Sequence, residues 1–322
     1  MTRATTTLPA PLRWLTRNKS LIGLILLVAS VALLNRNFLS VDNLLNVLRQ
    51  TSINAVMAMG MTFVILTAGI DLSVGALLAL TGAFAASLVA AGHGMVIALP
   101  LVLLIGAALG MLAGIAVTPG GVQPFIATLV GMTVLRGAVL VFTGGRPIDT
   151  SGAAASASFS ALGSGYLLGI PIPVLIAAIV YFACWLTLTQ TRFGRYVYAV
   201  GGNATVARLS GINVTQVKIA VYAISGLLSA LAGIILTARL ESAQPTAGTG
   251  YELDAIAAVV VGGTSLAGGK GSIFGTLVGA LIIGVLNNAL NLMDVSSYYQ
   301  MVAKGAVILL AVLVDRRSKS TQ

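Results

Sequence analysis

The sequence is short of charge and of reactive side chains. Only 8% of its 322 residues are Asp, Glu, Lys or Arg, and it holds one histidine and one cysteine. Soluble domains carry about a quarter of their residues as charges, so a water-facing globule is excluded. Cys184 stands alone in an apolar run, which excludes an intrachain disulfide. His93 is equally isolated, in the turn Ala90-Ala-Gly-His-Gly94, and reads as a solvated loop residue. Apart from arrangements built on these two, His/Cys metal spacings and Ser-His or Cys-His triads are unavailable. Without paired carboxylates, histidines or metal ligands, a membrane-embedded enzyme is a weak reading.

What is present is apolar. Hydrophobic residues make up 57% of the chain and the mean hydropathy is +1.01. The net charge of +10 raises the question of nucleic acid. The basic residues, however, flank apolar runs instead of forming an amphipathic or aromatic-interleaved surface, so no nucleic-acid partner is expected.

The runs predict membrane spans. The first, Ser20 to Leu34, follows Arg3, Arg13, Arg17 and Lys19 but has no small-residue cleavage site behind it, and is read as a retained span, not a signal peptide. Further spans are expected over Thr51–Ala68, Leu72–Ala90, Met95–Val117, Phe125–Thr143, Ile170–Leu188, Val217–Ala238, Ile273–Leu290 and Tyr298–Val314. Ser40-Val-Asp-Asn43 is a helix-start signal, Gly69-Ile-Asp-Leu-Ser73 a break, and Gly144–Gly169 a long Gly/Ser/Ala-rich loop. Leu253–Val261 is too short for an ordinary span. Letting it cross as a half-helix puts both basic termini and Lys270 on one side, which the positive-inside rule favours. The expectation is therefore an all-α integral membrane protein of about ten crossings, one of them short or broken, forming a single transmembrane domain over 20–314 between cytoplasmic tails 1–19 and 315–322.

Small residues recur at a spacing of four in Gly75/Ala79/Ala83/Ser87, Gly106/Gly110/Gly114, Ser225/Ser229/Gly233 and Gly271/Gly275/Gly279. Such stripes let helix backbones approach closely in lipid. The stretch Ala68-Gly-Ile-Asp-Leu-Ser-Val-Gly75 is echoed by Gly262-Gly-Thr-Ser-Leu-Ala-Gly-Gly269, a similarity that chance also produces among small residues. Leu266-Ala-Gly-Gly-Lys-Gly-Ser272 is not a phosphate loop: Thr264 stands where the first glycine belongs, and Gly271 follows the lysine where a hydroxyl is required. It is expected to be a flexible turn.

The longest polar interruption is Thr189–Lys218, with Arg192, Arg195, Arg208 and Lys218. Within it, Asn203 predicts an N-cap, Ala204–Ser210 about two turns of helix, and Gly211 the residue that ends them. Val206 and Leu209 share a face with Arg208 beside it. Docking of a soluble partner and plain topological charge are both compatible with this loop. Arg136 and Lys304 fall inside spans, where a charge costs about 3 kcal/mol on insertion scales. They either snorkel to the surface or pair with Glu241, Glu252 or Asp254 in an outer gate. Asp71, beside the break, is read as the N-cap of the following helix with a candidate pathway role.

Three motifs carry a family resemblance: Thr67-Ala-Gly-Ile-Asp-Leu-Ser-Val-Gly75, Gly201-Gly-Asn-Ala-Thr-Val-Ala-Arg-Leu-Ser-Gly-Ile212 and Ser242-Ala-Gln-Pro-Thr-Ala-Gly-Thr-Gly-Tyr-Glu-Leu-Asp254. Over about Ser20 to Val314 the chain resembles the permeases of bacterial ABC importers for ribose, xylose, arabinose and galactosides. Gly262–Gly271, Asn287-Asn288 and Val295-Ser-Ser-Tyr-Tyr-Gln-Met301 look most like the ribose member. The resemblance implies a many-helix fold of the vitamin B12 importer type, a homodimer in the bacterial inner membrane, and contact with lipid. It implies that ATP and Mg are used by a separate cytoplasmic ABC ATPase and that a periplasmic ribose-binding protein delivers the sugar. It also makes Gly202, Asn203, Val206, Arg208, Leu209, Ser210 and Gly211 the segment that meets the ATPase. Xylose, allose or a furanose signalling molecule are the other substrates in view, and an ATP-independent carrier is the reading from another class.

Overall fold

The computed structural model describes residues 19–296, 298–303, 305, 306 and 309, and is almost wholly helical. The helices are α1 Lys19–Leu34, α2 Val41–Leu66, α3 Val74–Ala90, α4 Met95–Val117, α5 Pro124–Thr143, α6 Ser156–Ser164, α7 Ile172–Gln190, α8 Arg192–Gly202, α9 Ala204–Leu209, α10 Val214–Leu240, α11 Tyr251–Val261 and α12 Ile273–Leu292. Residues 298–303 are helical as well. Extended pairing among the described residues is confined to two short antiparallel pairs. These are β1 Ile148–Asp149 with β4 Ser242–Ala243, and β2 Tyr166–Leu167 with β3 Ile170–Pro171.

Among the described residues five helices, α4, α5, α7, α10 and α12, are long and apolar enough to cross a membrane, and α1 and α3 are shorter apolar ones. At 26 residues α2 is long but more polar, beginning at Val41 because Ser40 caps it by accepting from the Asn43 N–H. With 11 residues, α11 covers about 16 Å, roughly half the hydrocarbon thickness. This is an all-α, multi-pass membrane protein.

Burial is concentrated on α2, α3 and α10. Every residue from Thr51 to Leu66 is buried, and 67% of the apolar window of α10 is buried against 11% of that of α5. The glycine stripes account for this packing. A methyl on Gly110 would overlap the Tyr222 carbonyl oxygen, and one on Gly106 would overlap the Ala230 side chain, so α4 lies backbone to backbone on α10. The Ser225–Gly233 stripe turns the other way, to α2 and α3: Gly60 abuts Ser225, and Gly233 abuts the Leu78 carbonyl. Gly275 and Gly279 bring α12 onto the Gly262 and Ala258 carbonyls. Polar links join α2 to α12, through the hydroxyls of Thr62 and Thr276 at 2.7 Å and reciprocal amide bonds between Asn43 and Asn288 at 3.0 and 2.8 Å.

Three expectations are corrected. The Gly144–Gly169 loop is partly folded: α6 packs on α10, with Gly163 against the Arg239 backbone, and β1 and β4 pair. The 189–218 stretch holds a second helix, α8, ahead of the expected α9; glycines near both ends of α8 mask it in the sequence, while Thr191 caps it through the Gly194 N–H at 3.1 Å. The turn after α11 is not an open link but folds on itself, Ser265 N donating to the Lys270 carbonyl at 2.9 Å and Gly268 N to the Ser265 carbonyl at 3.0 Å.

Candidate functional site

At one end of the bundle α8 and α9 meet at Asn203. Its backbone is extended (φ −161°), and its Oδ1 accepts from the N–H groups of Thr205 and Val206 at 3.0 and 3.1 Å. Two of the donors that a helix start leaves unpaired are thereby satisfied. Gly211 ends the turn at φ +83°, with its N–H on the Arg208 carbonyl and the Ile212 N–H on the Ala207 carbonyl, both at 3.0 Å. Asn213 then caps α10 by accepting from the Gln216 N–H at 3.1 Å. Ala207 is buried beneath α9, whereas Val206 and Leu209 are 57% and 84% exposed. Gly202, Asn203, Arg208, Ser210 and Gly211 are exposed as well. Arg192 and Arg195 stand exposed on α8, and no acidic residue occurs from 189 to 218. Gly202, Asn203, Val206, Arg208, Leu209, Ser210 and Gly211 thus form one small, capped, apolar-and-basic knob.

Deeper in the bundle lies the break between α2 and α3. Asp71 is fully buried. Its Oδ1 accepts from the Ser73 N–H at 3.1 Å and the Ser73 hydroxyl at 2.6 Å, and its Oδ2 from the Ser225 hydroxyl of α10 at 2.9 Å. The carbonyl of Ile70 accepts from Tyr222 of α10 and Thr128 of α5, each at 3.2 Å. Asp71 is not the helix cap expected of it. Ser73 occupies that position, and the carboxylate instead holds the break closed from within.

The remaining candidates divide. Arg136 does not snorkel: its Nη1 donates to the carbonyls of Pro245 and Ala247 at 2.8 and 2.9 Å, pinning the loop that leads into α11. The same loop brings Glu252 near, where it interacts electrostatically with Arg136, accepts from the Gly250 N–H at 3.3 Å and reaches the Gly75 backbone. Asp254 is buried on the same first turn of α11. Glu241 is exposed and ends α10 at φ +50°, its carbonyl accepting from the N–H and hydroxyl of Thr150 at 3.0 and 2.9 Å. Ser225, the partner of Asp71, lies about 24 Å before Glu241 along α10, so Asp71 does not belong to a shared gate with it. Lys304 lies outside the described residues.

A family model described as branched-chain amino acid transport system / permease component matches residues 43–312. The chain belongs to this permease family. It is 61% identical over 303 residues, 94% of each chain, to the ribose import permease protein RbsC of Haemophilus influenzae. Against the ribose import permease protein RbsC of Escherichia coli K12 the identity is 60% over 306 residues, 95% of each chain. A D-allose transport system permease protein of Escherichia coli K12 is more distant, 42% identical over 280 residues, covering 87% of this chain and 85% of the relative. No solved structure matches the chain.

In this permease, sequence reasoning missed Tyr222 and Thr128 as clamps on the break and Ser225 as the partner of Asp71. A tyrosine hydroxyl in mid-span was the available signal, because a buried phenol needs a hydrogen-bond partner. Ser225 was visible only as a small residue in a stripe.

Proposed function

We propose that this permease is the membrane-spanning subunit of an ATP-driven importer that carries ribose across the bacterial inner membrane. The observation that carries the reading is the α9 knob: a helix capped at both ends, seated on buried Ala207, and presenting Val206, Leu209 and Arg208 to solvent. An exposed apolar pair ringed by positive charge suits a cleft with apolar walls and acidic rims in a partner protein. In this reading the partner is a separate cytoplasmic ABC ATPase, which binds and hydrolyses ATP with Mg. A periplasmic binding protein presents ribose at the opposite face, and both termini are cytoplasmic. The permease works as a homodimer, with the outward apolar faces of α4, α5 and α7 against lipid or the second copy. Ribose as cargo is supported by identities of 61% and 60% to proteins named for ribose against 42% to one named for D-allose.

The physical task fits the architecture. Each sugar hydroxyl taken unpaired into hydrocarbon costs several kcal/mol, so unaided crossing is slow. A bundle that opens to one side at a time avoids that cost without a tight sugar site, provided a binding protein does the selecting.

The test is uptake of labelled ribose by cells lacking their own ribose permease, supplied with this chain, the ATPase and the binding protein. Uptake is expected only with all three. Uptake by this chain alone would replace the ATP-driven reading with a secondary carrier. Arg208→Glu reverses one charge of the knob and is expected to weaken ATPase co-purification at least about tenfold, with membrane insertion unchanged. Undiminished co-purification would remove α9 from the docking site.

A further inference from the structure

The three chain segments that end at α9's doorstep interlock through bare backbone. A methyl on Gly201 would overlap both the Leu66 carbonyl oxygen at the end of α2 and the Gly269 nitrogen. The Gly269 N–H donates to that same Leu66 carbonyl at 2.9 Å. A methyl on Gly268 would lie 2.8 Å from the Gly201 carbonyl oxygen and 2.9 Å from the Ala68 nitrogen. The Tyr198 hydroxyl closes the arrangement by donating to the Gly271 carbonyl at 3.0 Å. The two echoed glycine-containing breaks of the sequence, 68–75 and 262–269, therefore meet each other and the end of α8, immediately before the Asn203 cap.

From this joint the path to the bundle interior is short. Leu66 precedes the Gly69–Ser73 break, whose Asp71 is bonded to Ser225 of α10 at 2.9 Å. Helix α10 is itself the continuation of α9 through Gly211–Asn213. The contacts form a closed ring: α9, the glycine joint, the α2–α3 break, the Asp71–Ser225 bond, α10, and back to α9. A displacement of α9 cannot be taken up by α10 alone, because its other end is held to Leu66.

We propose that the Gly201–Leu66–Gly269 joint is the mechanical link that carries movement of α9 into the α2–α3 break, with Tyr198 and Ser225 as positioning residues at the two ends of that link. The proposal rests on the reading of α9 as the ATPase-docking segment, and it adds where the motion goes. Bare backbone contact suits this role: it leaves no side-chain rotamers to absorb a displacement, so the parts move together.

The test uses the full assembly in proteoliposomes, with this permease, its ATPase and its binding protein. Three quantities are read: ATPase co-purification, ATP hydrolysed, and ribose moved per ATP. Tyr198→Phe removes one hydrogen bond with no change of shape, and Ser225→Ala removes the bond to Asp71. Both are expected to keep the ATPase bound and hydrolysing while ribose moved per ATP falls about fivefold, the worth of one hydrogen bond. A wild-type ratio in both variants would overturn the proposal. Loss of ATPase co-purification in either would overturn it as well, because the joint would then shape the docking knob instead of transmitting from it. Should Ser225→Ala fail to insert, the ratio measured for Tyr198→Phe decides alone. Failure of the docking reading is seen separately, as normal co-purification of Arg208→Glu.

Discussion

The two helix breaks at the α9 end of the bundle solve one problem in opposite ways. Both interrupt apolar helices and leave backbone groups to satisfy, the first mostly buried, where an unpaired group is costly, and the second partly exposed. The break between α2 and α3 does it with side chains: Asp71 takes three donors, while Tyr222 and Thr128 both donate to Ile70. The break between α11 and α12 does it with glycine. Gly263, Gly268 and Gly269 sit at φ +92°, +83° and +71°, which lets the chain fold back so that Gly268 N and Ser265 N find carbonyls within the turn. A side-chain clamp is specific but depends on distant helices. A glycine turn needs no side-chain clamp of its own but relies on the absence of Cβ atoms, which here lets Gly269 N reach the Leu66 carbonyl. The first break is thus sensitive to what α10 does, whereas the second keeps its shape through its own backbone and is tied to the first at Leu66.

The sharpest way to break this contrast is Asp71→Ala. It leaves the Ser73 N–H and the hydroxyls of Ser73 and Ser225 without their acceptor. The expected loss is about 3 kcal/mol, read as a lower unfolding temperature of the detergent-solubilised permease. Asp71→Asn keeps an acceptor for Ser73 and is expected to lose about half as much. Equal losses from both would mean that charge, not hydrogen-bond capacity, holds the break.

Next in size is Gly268→Ala. The residue has φ +83°, and its Cβ would meet three backbone atoms at 2.8 to 3.0 Å. Left-handed backbone alone costs an L-residue about 1–2 kcal/mol, so about 2 kcal/mol in total is expected in the same unfolding assay. If Gly268→Ala proved harmless, the second break would not depend on glycine and the two breaks would cease to differ in kind.

Much of this is legible in the sequence, for a definite reason. Span positions follow from composition, and the caps Ser40, Asn203 and Gly211 are local chemistry, decided within four residues of chain. So α9 is predictable to within a residue of its end. Groups whose partners lie far along the chain are not. Arg136 is a lone cation in an apolar run, and nothing in the run says that its partners are the carbonyls of Pro245 and Ala247. Asp71 beside a glycine suggests a cap, and only the approach of α10 shows Ser225 taking that bond. The echo between 68–75 and 262–269 is too weak to interpret in sequence, and that the two segments touch is seen only in the fold. Loop 144–169 failed as a prediction because α6 owes its stability to packing on α10, which Gly163 permits and local propensity does not reveal.

The smallest effect is the most discriminating. Ala68 begins the first break at φ +59°, the only alanine at positive φ among the described residues, and its side chain is exposed. The second break meets the same backbone demand with glycine. If the first break is held by Asp71 and its partners, the methyl of Ala68 does nothing there except strain the chain. Ala68→Gly then trades a steric penalty of about 1–2 kcal/mol for an unfolded-state entropy cost of about 0.5–1 kcal/mol, a net gain of about 0.5 kcal/mol. A rise in unfolding temperature would place the holding force in the distant side chains. A fall would mean that stiffness at Ala68 itself keeps the break in register with Gly268. In that case the glycine joint would be transmitting through a hinge that needs its alanine, and Ala68→Gly would also reduce ribose moved per ATP.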